Sequence, residues 1–170
     1  MATVTQPLRD EHKELIPHIV ALRAAADAVG EVPPDALRTA VDAAYDFLAH
    51  HLIPHAQAEE RALYPVVGKV LGAPEATNTM SHDHVEVGRL TNELRDLRAA
   101  IGSAAPTAAL ARDLRRVLYG LYGIVNLHFA KEEEVYLPIL DQRLGAAEAR
   151  EMFEAMEKAA GEAKAHANGH

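Results

Sequence analysis

His55-Ala-Gln-Ala-Glu59-Glu60-Arg-Ala-Leu-Tyr64-Pro65 decides how this chain is read, because a near copy stands further along: His128-Phe-Ala-Lys-Glu132-Glu133-Glu-Val-Tyr136-Leu-Pro138. Each stretch carries a histidine followed four residues later by a glutamate, then a second glutamate, and a proline six residues after the first glutamate. On a helix, residues four apart lie about 40° from one another, so each His and Glu can reach one shared point. An imidazole and a carboxylate converging on a point suggest a metal site, and the repetition separates it from coincidence.

Around these boxes the apolar residues recur at helical spacing. Leu8, His12, Leu15, Ile19 and Leu22 predict a first helix from about residue 6 to 29, with Pro17 expected to kink it. Gly30 to Pro34 reads as a turn, and Pro34 suits the start of a second helix. That helix carries Phe47, Leu48, Leu52, His55 and Glu59 toward Leu63; Pro54 should disturb it, and Pro65 should limit it. A third helix over about 77–101 places Val87, Leu90, Leu94, Leu97 and Ile101 on one face. The fourth, about 107–142, carries Val117, Leu121, Ile124, Val125, His128, Glu132 and Ile139. A charged helix over about 146–164, with Met152, Phe153 and Met156 on one side, reads as an appendage or a dimer contact. The expected fold is all-α: an antiparallel up-down four-helix bundle over residues 1–145, with an additional C-terminal helix and polar tail over 146–170.

Shifting one half onto the other by 72 or 73 residues aligns more than the boxes. Asp10-Glu-His12-Lys-Glu-Leu15 falls over His82-Asp-His84-Val-Glu-Val87. Each half is then a helix with one histidine followed by a helix with a His/Glu pair. An antiparallel bundle would bring His12, His55, Glu59, His84, His128 and Glu132 to one level of its core. These six are the candidate metal ligands.

A core histidine is commonly satisfied by a hydrogen bond and needs no metal. A buried carboxylate is different, since burial without a positive partner is costly. No Lys or Arg shares the stripes of Glu59 and Glu132, so a cation is the missing charge. Glu60 and Glu133 lie about 100° round their helix and are expected to face solvent, although a distorted helix would let them compete as ligands. His82 is expected beyond the ligands or exposed, His51 beside them, and His50 on the surface. His18 is hard to place after Pro17. Tyr64 and Tyr136 read as packing groups, either of which could donate a hydrogen bond at the site. His166 and His170 belong to the polar tail.

The bulk composition narrows the classes. A formal charge of −8 argues against nucleic acid or an anionic membrane as partner. No apolar run approaches a membrane span, and the polar N-terminus is no export signal, which points to the cytoplasm. There is no cysteine, which removes disulfides, thiolate zinc sites and a cysteine nucleophile. Imidazole with carboxylate suits iron, manganese or zinc, and the lack of thiolate argues against a structural zinc site. If Glu59 and Glu132 bridge two ions, and an oxo or hydroxo group completes the bridge, open positions remain for a small molecule.

The order His12, His55-x-x-x-Glu59, His84, His128-x-x-x-Glu132, with the Leu-Tyr-Pro and Tyr-Leu-Pro tails, resembles the hemerythrin-like, or HHE cation-binding, domains over about residues 8–142. The resemblance implies two non-haem iron ions in a four-helix bundle, bridged by Glu59 and Glu132. Oxygen-carrying members use a fifth histidine four residues after another. Here the position four after His84 is Gly88, which weakens the case for oxygen transport unless His18 or His51 substitutes. The expected function is binding of, or reaction with, O2, H2O2 or NO in redox stress or sensing, by a monomer or homodimer. If the protein is an enzyme, catalase-like peroxide breakdown is the expectation; the alternative is non-catalytic iron or oxygen storage. The family's cluster-repair members can carry a cysteine-bearing N-terminal domain, and this sequence has none.

Overall fold

The structure, a computed structural model, describes residues 3–167 and side chains through residue 165, so the side chains of His166 and His170 lie outside it. The described residues are helical, with no strand among them. The helices are α1 (Gln6–Ala28), α2 (Pro34–Phe47), α3 (Ile53–Ala58), α4 (Tyr64–Leu71), α5 (Asn78–Ala99), α6 (Ala108–Lys131), α7 (Leu137–Arg143) and α8 (Ala146–Ala167). Helix α1 continues through Pro17. It ends at Gly30, and α4 ends at Gly72; both glycines adopt the left-handed conformation, with φ of 82° and 67°. Thr107 caps α6 by accepting from the Leu110 amide.

Helices α2, α3 and α4 form one rod, joined by π-helical turns at Leu48–Leu52 and Glu59–Leu63. A third π turn, Glu132–Tyr136, joins α6 to α7. Pro65 therefore does not limit the second helix as expected. A proline inside an α-helix lacks one N–H and presses its ring on the carbonyl four residues back. Here Pro54, Pro65 and Pro138 are each the second residue of the α segment that follows a π turn. The wider i→i+5 turn lets the rod continue where the α ladder could not.

Helix α1 packs against α2 and α6, and α5 packs against α2 and α6, so the four rods close a ring. Two apolar clusters fill it. One gathers Ile19, Leu22, Leu48, Leu52, Val87, Leu94, Leu121 and Val125; the other gathers Leu8, Leu63, Met80, Leu137, Leu140, Met152 and Met156. Along α1 and α5 the chain passes from the second cluster to the first; along the other two rods it passes from the first to the second. His12, His55, His84 and Glu132 fall between the clusters in sequence, while Glu59 follows Ala58 of the second cluster and His128 precedes Phe129 of the first.

Helix α8 is not an appendage. It packs on α3 and on the π turn carrying Glu59, and buries Ala149, Met152, Met156 and Ala159 in the second cluster. Among the described residues no helix is long and apolar enough to cross a membrane.

Candidate metal centre

Four histidines and two glutamates from four rods meet in the layer between the clusters. His12, His55, Glu59 and Glu132, all buried, offer ligand atoms within 4.8 Å of one another, and Glu59, His84 and His128 do the same. Glu59 sits at the start of one π turn and Glu132 at the start of another. His55 and His128 lie one helical turn before them.

Each carboxylate divides its oxygens between the halves. Glu59 Oε1 lies 2.9 Å from His55 Nε2 and 3.9 Å from His12 Nε2, while its Oε2 lies 3.2 Å from His84 Nε2 and 3.8 Å from His128 Nε2. Glu132 Oε2 lies 3.4 Å from His12 Nε2, and its Oε1 3.5 Å from His128 Nε2. His12 Nε2, His55 Nε2, both oxygens of Glu59 and Oε2 of Glu132 are nevertheless buried without a hydrogen-bond partner. Orphaned buried polar atoms are uncommon and expensive, on the order of 1–3 kcal/mol each. Five of them converge here, all of metal-ligating type.

The electrostatics have one source, negative charge buried without a fixed counter-charge. Burial alone would raise Glu59, yet the charge on His55 and the neighbouring imidazoles hold its carboxyl well below the usual range. Burial and the nearby charge of Glu59 push Glu132 up. Burial opposes charge on His128, but Glu132 and Glu59 outweigh it and lift the ring to about 10. His55 also rises well above its ordinary value, because Glu59 and Glu11 overcome the effect of burial. Protons take the place a cation would otherwise fill.

Behind each inward Nε2, the other ring nitrogen meets a carboxylate. His12 Nδ1 lies 2.7 Å from Glu133, His55 Nδ1 3.0 Å from Glu11, His84 Nδ1 2.8 Å from Glu60, and His128 Nδ1 3.0 Å from Asp83. This corrects the expectation that Glu60 and Glu133 only face solvent. They are partly exposed, but their carboxylates fix the rings of the histidines contributed by α5 and α1. Such contacts set ring orientation and tautomer, leaving Nε2 free to ligate. A further layer holds the carboxylates: Arg9 donates to Glu133, Ser81 to Glu60 and Lys131 to Asp83. Glu11 and Asp83 were visible in the aligned halves as acidic residues preceding His12 and His84, and that repeat was the signal for them.

The two halves differ in their aromatic neighbours. Tyr64, buried, donates to Glu132 Oε1 at 3.1 Å and stacks on His84 at 5.5 Å. Burial and the charges of Glu59 and Glu132 raise its phenol, so it remains a donor. Tyr136 lies elsewhere and donates to the Ala76 carbonyl. On the opposite half Phe129 stacks on His12 at 4.3 Å.

The other histidines stand outside this layer. His51 is exposed, not beside the ligands, because Leu48 and Leu52 take the inward positions on its turn. His18 is exposed and stacks on Phe47 at 5.0 Å. His82 is exposed, and His50 is half-buried beside Asp46. None supplies a fifth histidine, and an added side chain at Gly88 would meet nothing within 4 Å. A cavity of about 10 Å³, walled by Leu52, Val87, Val125 and Phe129, opens on His55, Glu59, His84 and His128. That volume is on the scale of one water-sized molecule.

The hemerythrin HHE cation binding domain matches residues 3–140 of the chain. Two curated relatives are similar to it: the iron-sulfur cluster repair protein YtfE of Pectobacterium carotovorum subsp. carotovorum (strain PC1) and that of Pectobacterium atrosepticum (strain SCRI 1043). Each is 26% identical over 102 residues, covering 57% of this chain and 44% of the relative. The chain thus spans less than half the length of these relatives. No solved structure matches it.

Proposed function

Because the chain belongs to the hemerythrin HHE cation binding domain family, we propose that it is a non-haem di-iron protein that binds or reacts with O2, peroxide or NO in redox stress or sensing. His12 and His55 would hold one ion and His84 and His128 the other, with Glu59 and Glu132 shared between them. The observation that carries this reading is the set of five orphaned atoms on His12, His55, Glu59 and Glu132, which a cation would satisfy together. An iron pair supplies reversible ligand binding and electron transfer to small oxygen and nitrogen species.

The chain's own groups have separate tasks. Glu133, Glu11, Glu60 and Asp83 keep the four rings aimed inward. The Tyr64 hydroxyl holds Glu132 in place and offers a proton at the layer. The apolar walls of the small cavity keep bulk water away. The passage of α1 and α5 in one sense between the clusters, and of the other rods in the opposite sense, supports an antiparallel up-down four-helix bundle with α8 added.

If the protein turns over, the reaction is catalase-like peroxide breakdown; if it does not, it stores iron or senses the gas. A second reading, iron–sulfur cluster repair, is favoured by the names of the two relatives. Elemental analysis with Mössbauer spectroscopy of the purified protein tests the centre: about two iron ions per chain are expected, and less than about one would refute it. Oxygen evolution from peroxide, and recovery of a damaged cluster in an iron–sulfur enzyme, then separate the activities.

A further inference from the structure

Four rings stand between the ligand layer and the grooves on the protein's surface, and one of them, His12, lines the same groove as Phe129. Tyr64 lines an open groove shared with Glu60, Gly68 and Asn78. His55 lines a pocket beneath α8 with Glu11, Phe153 and Met156. Phe129 lines a groove of about 500 Å³ between α1 and α6, whose walls include Ile16, Ile19 and Val20. Only the Phe129 ring belongs both to this groove and to the small inner cavity while carrying no polar duty.

The other three rings are tied down. His12 is held by Glu133 through Nδ1 and does not line the inner cavity. Tyr64 donates to Glu132, and it does not line the inner cavity. His55 is held by Glu11 on one nitrogen and turned toward Glu59 with the other. Moving any of them would break a polar contact in a buried place, which is costly. Phe129 is held by packing and by its stack on His12, so it can change rotamer without leaving any polar atom unpaired.

Resting on the function proposed above, we infer that Phe129 is the gate to the centre, and that the groove between α1 and α6 is the route by which a molecule small enough for the inner cavity, such as O2 or NO, reaches it. The walls on both sides of the gate are mixed. Exposed Ile16 and Val20 stand at its outer end beside Arg9, Lys13, Asn126 and Glu133, and Leu52, Val87 and Val125 line the cavity behind Phe129 together with His55, Glu59, His84 and His128. Polarity of the walls therefore does not select the ligand, and the size of the opening at Phe129 does. With the ring in place, the inner cavity admits one small molecule. Phe129 thereby acts on ligand size and access and is no ligand itself.

Stopped-flow association of nitric oxide with the reduced, iron-loaded protein tests the gate. Phe129→Leu and Phe129→Ala should associate about tenfold faster or more, and Val20→Trp, which narrows the groove from its exposed side, should slow association by a similar factor. Iron content should be unchanged in all three. Asn78→Trp, placed in the groove outside Tyr64, should have no effect on the rate. Unchanged rates in Phe129→Leu and Val20→Trp, or slowing by Asn78→Trp alone, would overturn the route. A second readout needs no iron: metal-free Phe129→Ala crystals under xenon pressure should hold xenon between Val125 and the α1–α6 groove, and xenon confined to the Tyr64 side would overturn the proposal. Should the protein retain no iron, the centre fails as a proposal, while the xenon result still judges the gate.

Discussion

Glu60 and Glu133 show how much a single carboxylate one position from a ligand can matter. Each reaches a ring nitrogen of a histidine on another rod, with distances of 2.8 and 2.7 Å. Glu60→Ala and Glu133→Ala should each weaken iron binding by about 10–100-fold in chelator competition, with the fold intact by circular dichroism. Glu59→Ala and Glu132→Ala should abolish stoichiometric binding. Tyr64→Phe removes the hydroxyl that Glu132 accepts from and should cost about 1 kcal/mol in chemical denaturation. The six inward groups were legible in the sequence because the repeat doubles them. The outer carboxylates were not, for two reasons. The 100° rotation that sent Glu60 and Glu133 to solvent assumes regular α-helix, but both sit in π turns. Glu11 and Asp83 repeat in the aligned halves, but their partners, His55 and His128, lie on neighbouring rods, and a helical wheel treats each helix alone.

At the level of elements, the π turns explain how prolines coexist with long rods. The helical periodicity revealed the rods themselves, yet Pro65 read as a stop because the pattern offers no sign that the turn before it is widened. That extra width holds one more residue than an α turn would. Deleting the exposed Glu134 should return this turn to α geometry with α7 still in register, so that the Pro138 ring presses on the carbonyl four residues before it. A fall in melting temperature is expected, and an unchanged melt would show that the wide turn is not needed to accommodate the proline. Helix α8 was legible as a helix but not in its placement, since an apolar side carrying Met152 and Met156 fits a partner chain as well as α3. Met156→Ala should destabilise by about 2–5 kcal/mol. For a chain of this size each kcal/mol lowers the melting point by roughly 2–4 °C, so calorimetry can measure it.

Across the whole molecule, the start of α1 is fastened to α7. Asp141 accepts from the Thr5 amide and hydroxyl and from Arg9, which also reaches Glu133 behind His12. Burial works against the charge of Asp141, but Thr5 and Arg9 keep its carboxyl below the ordinary 3.8. A carboxyl depressed in the folded state stabilises above its unfolded value and loses that contribution as pH falls through the folded one. Asp141→Asn should therefore cost about 1–2 kcal/mol at neutral pH, and the difference from the native chain should close only in acid below 3.8. A gap independent of pH would show that the charge is immaterial. The same layered arrangement also fixes a charge balance. Glu59 and Glu132 with Glu11, Glu60, Asp83 and Glu133 make six carboxylates, and Arg9 and Lys131 return two positive charges, leaving four negative. Each cation held there would lower that surplus and repel the next. Iron titration should therefore show successive steps of falling affinity, the later ion lost first to a chelator, and a single cooperative step would show that charge does not govern loading.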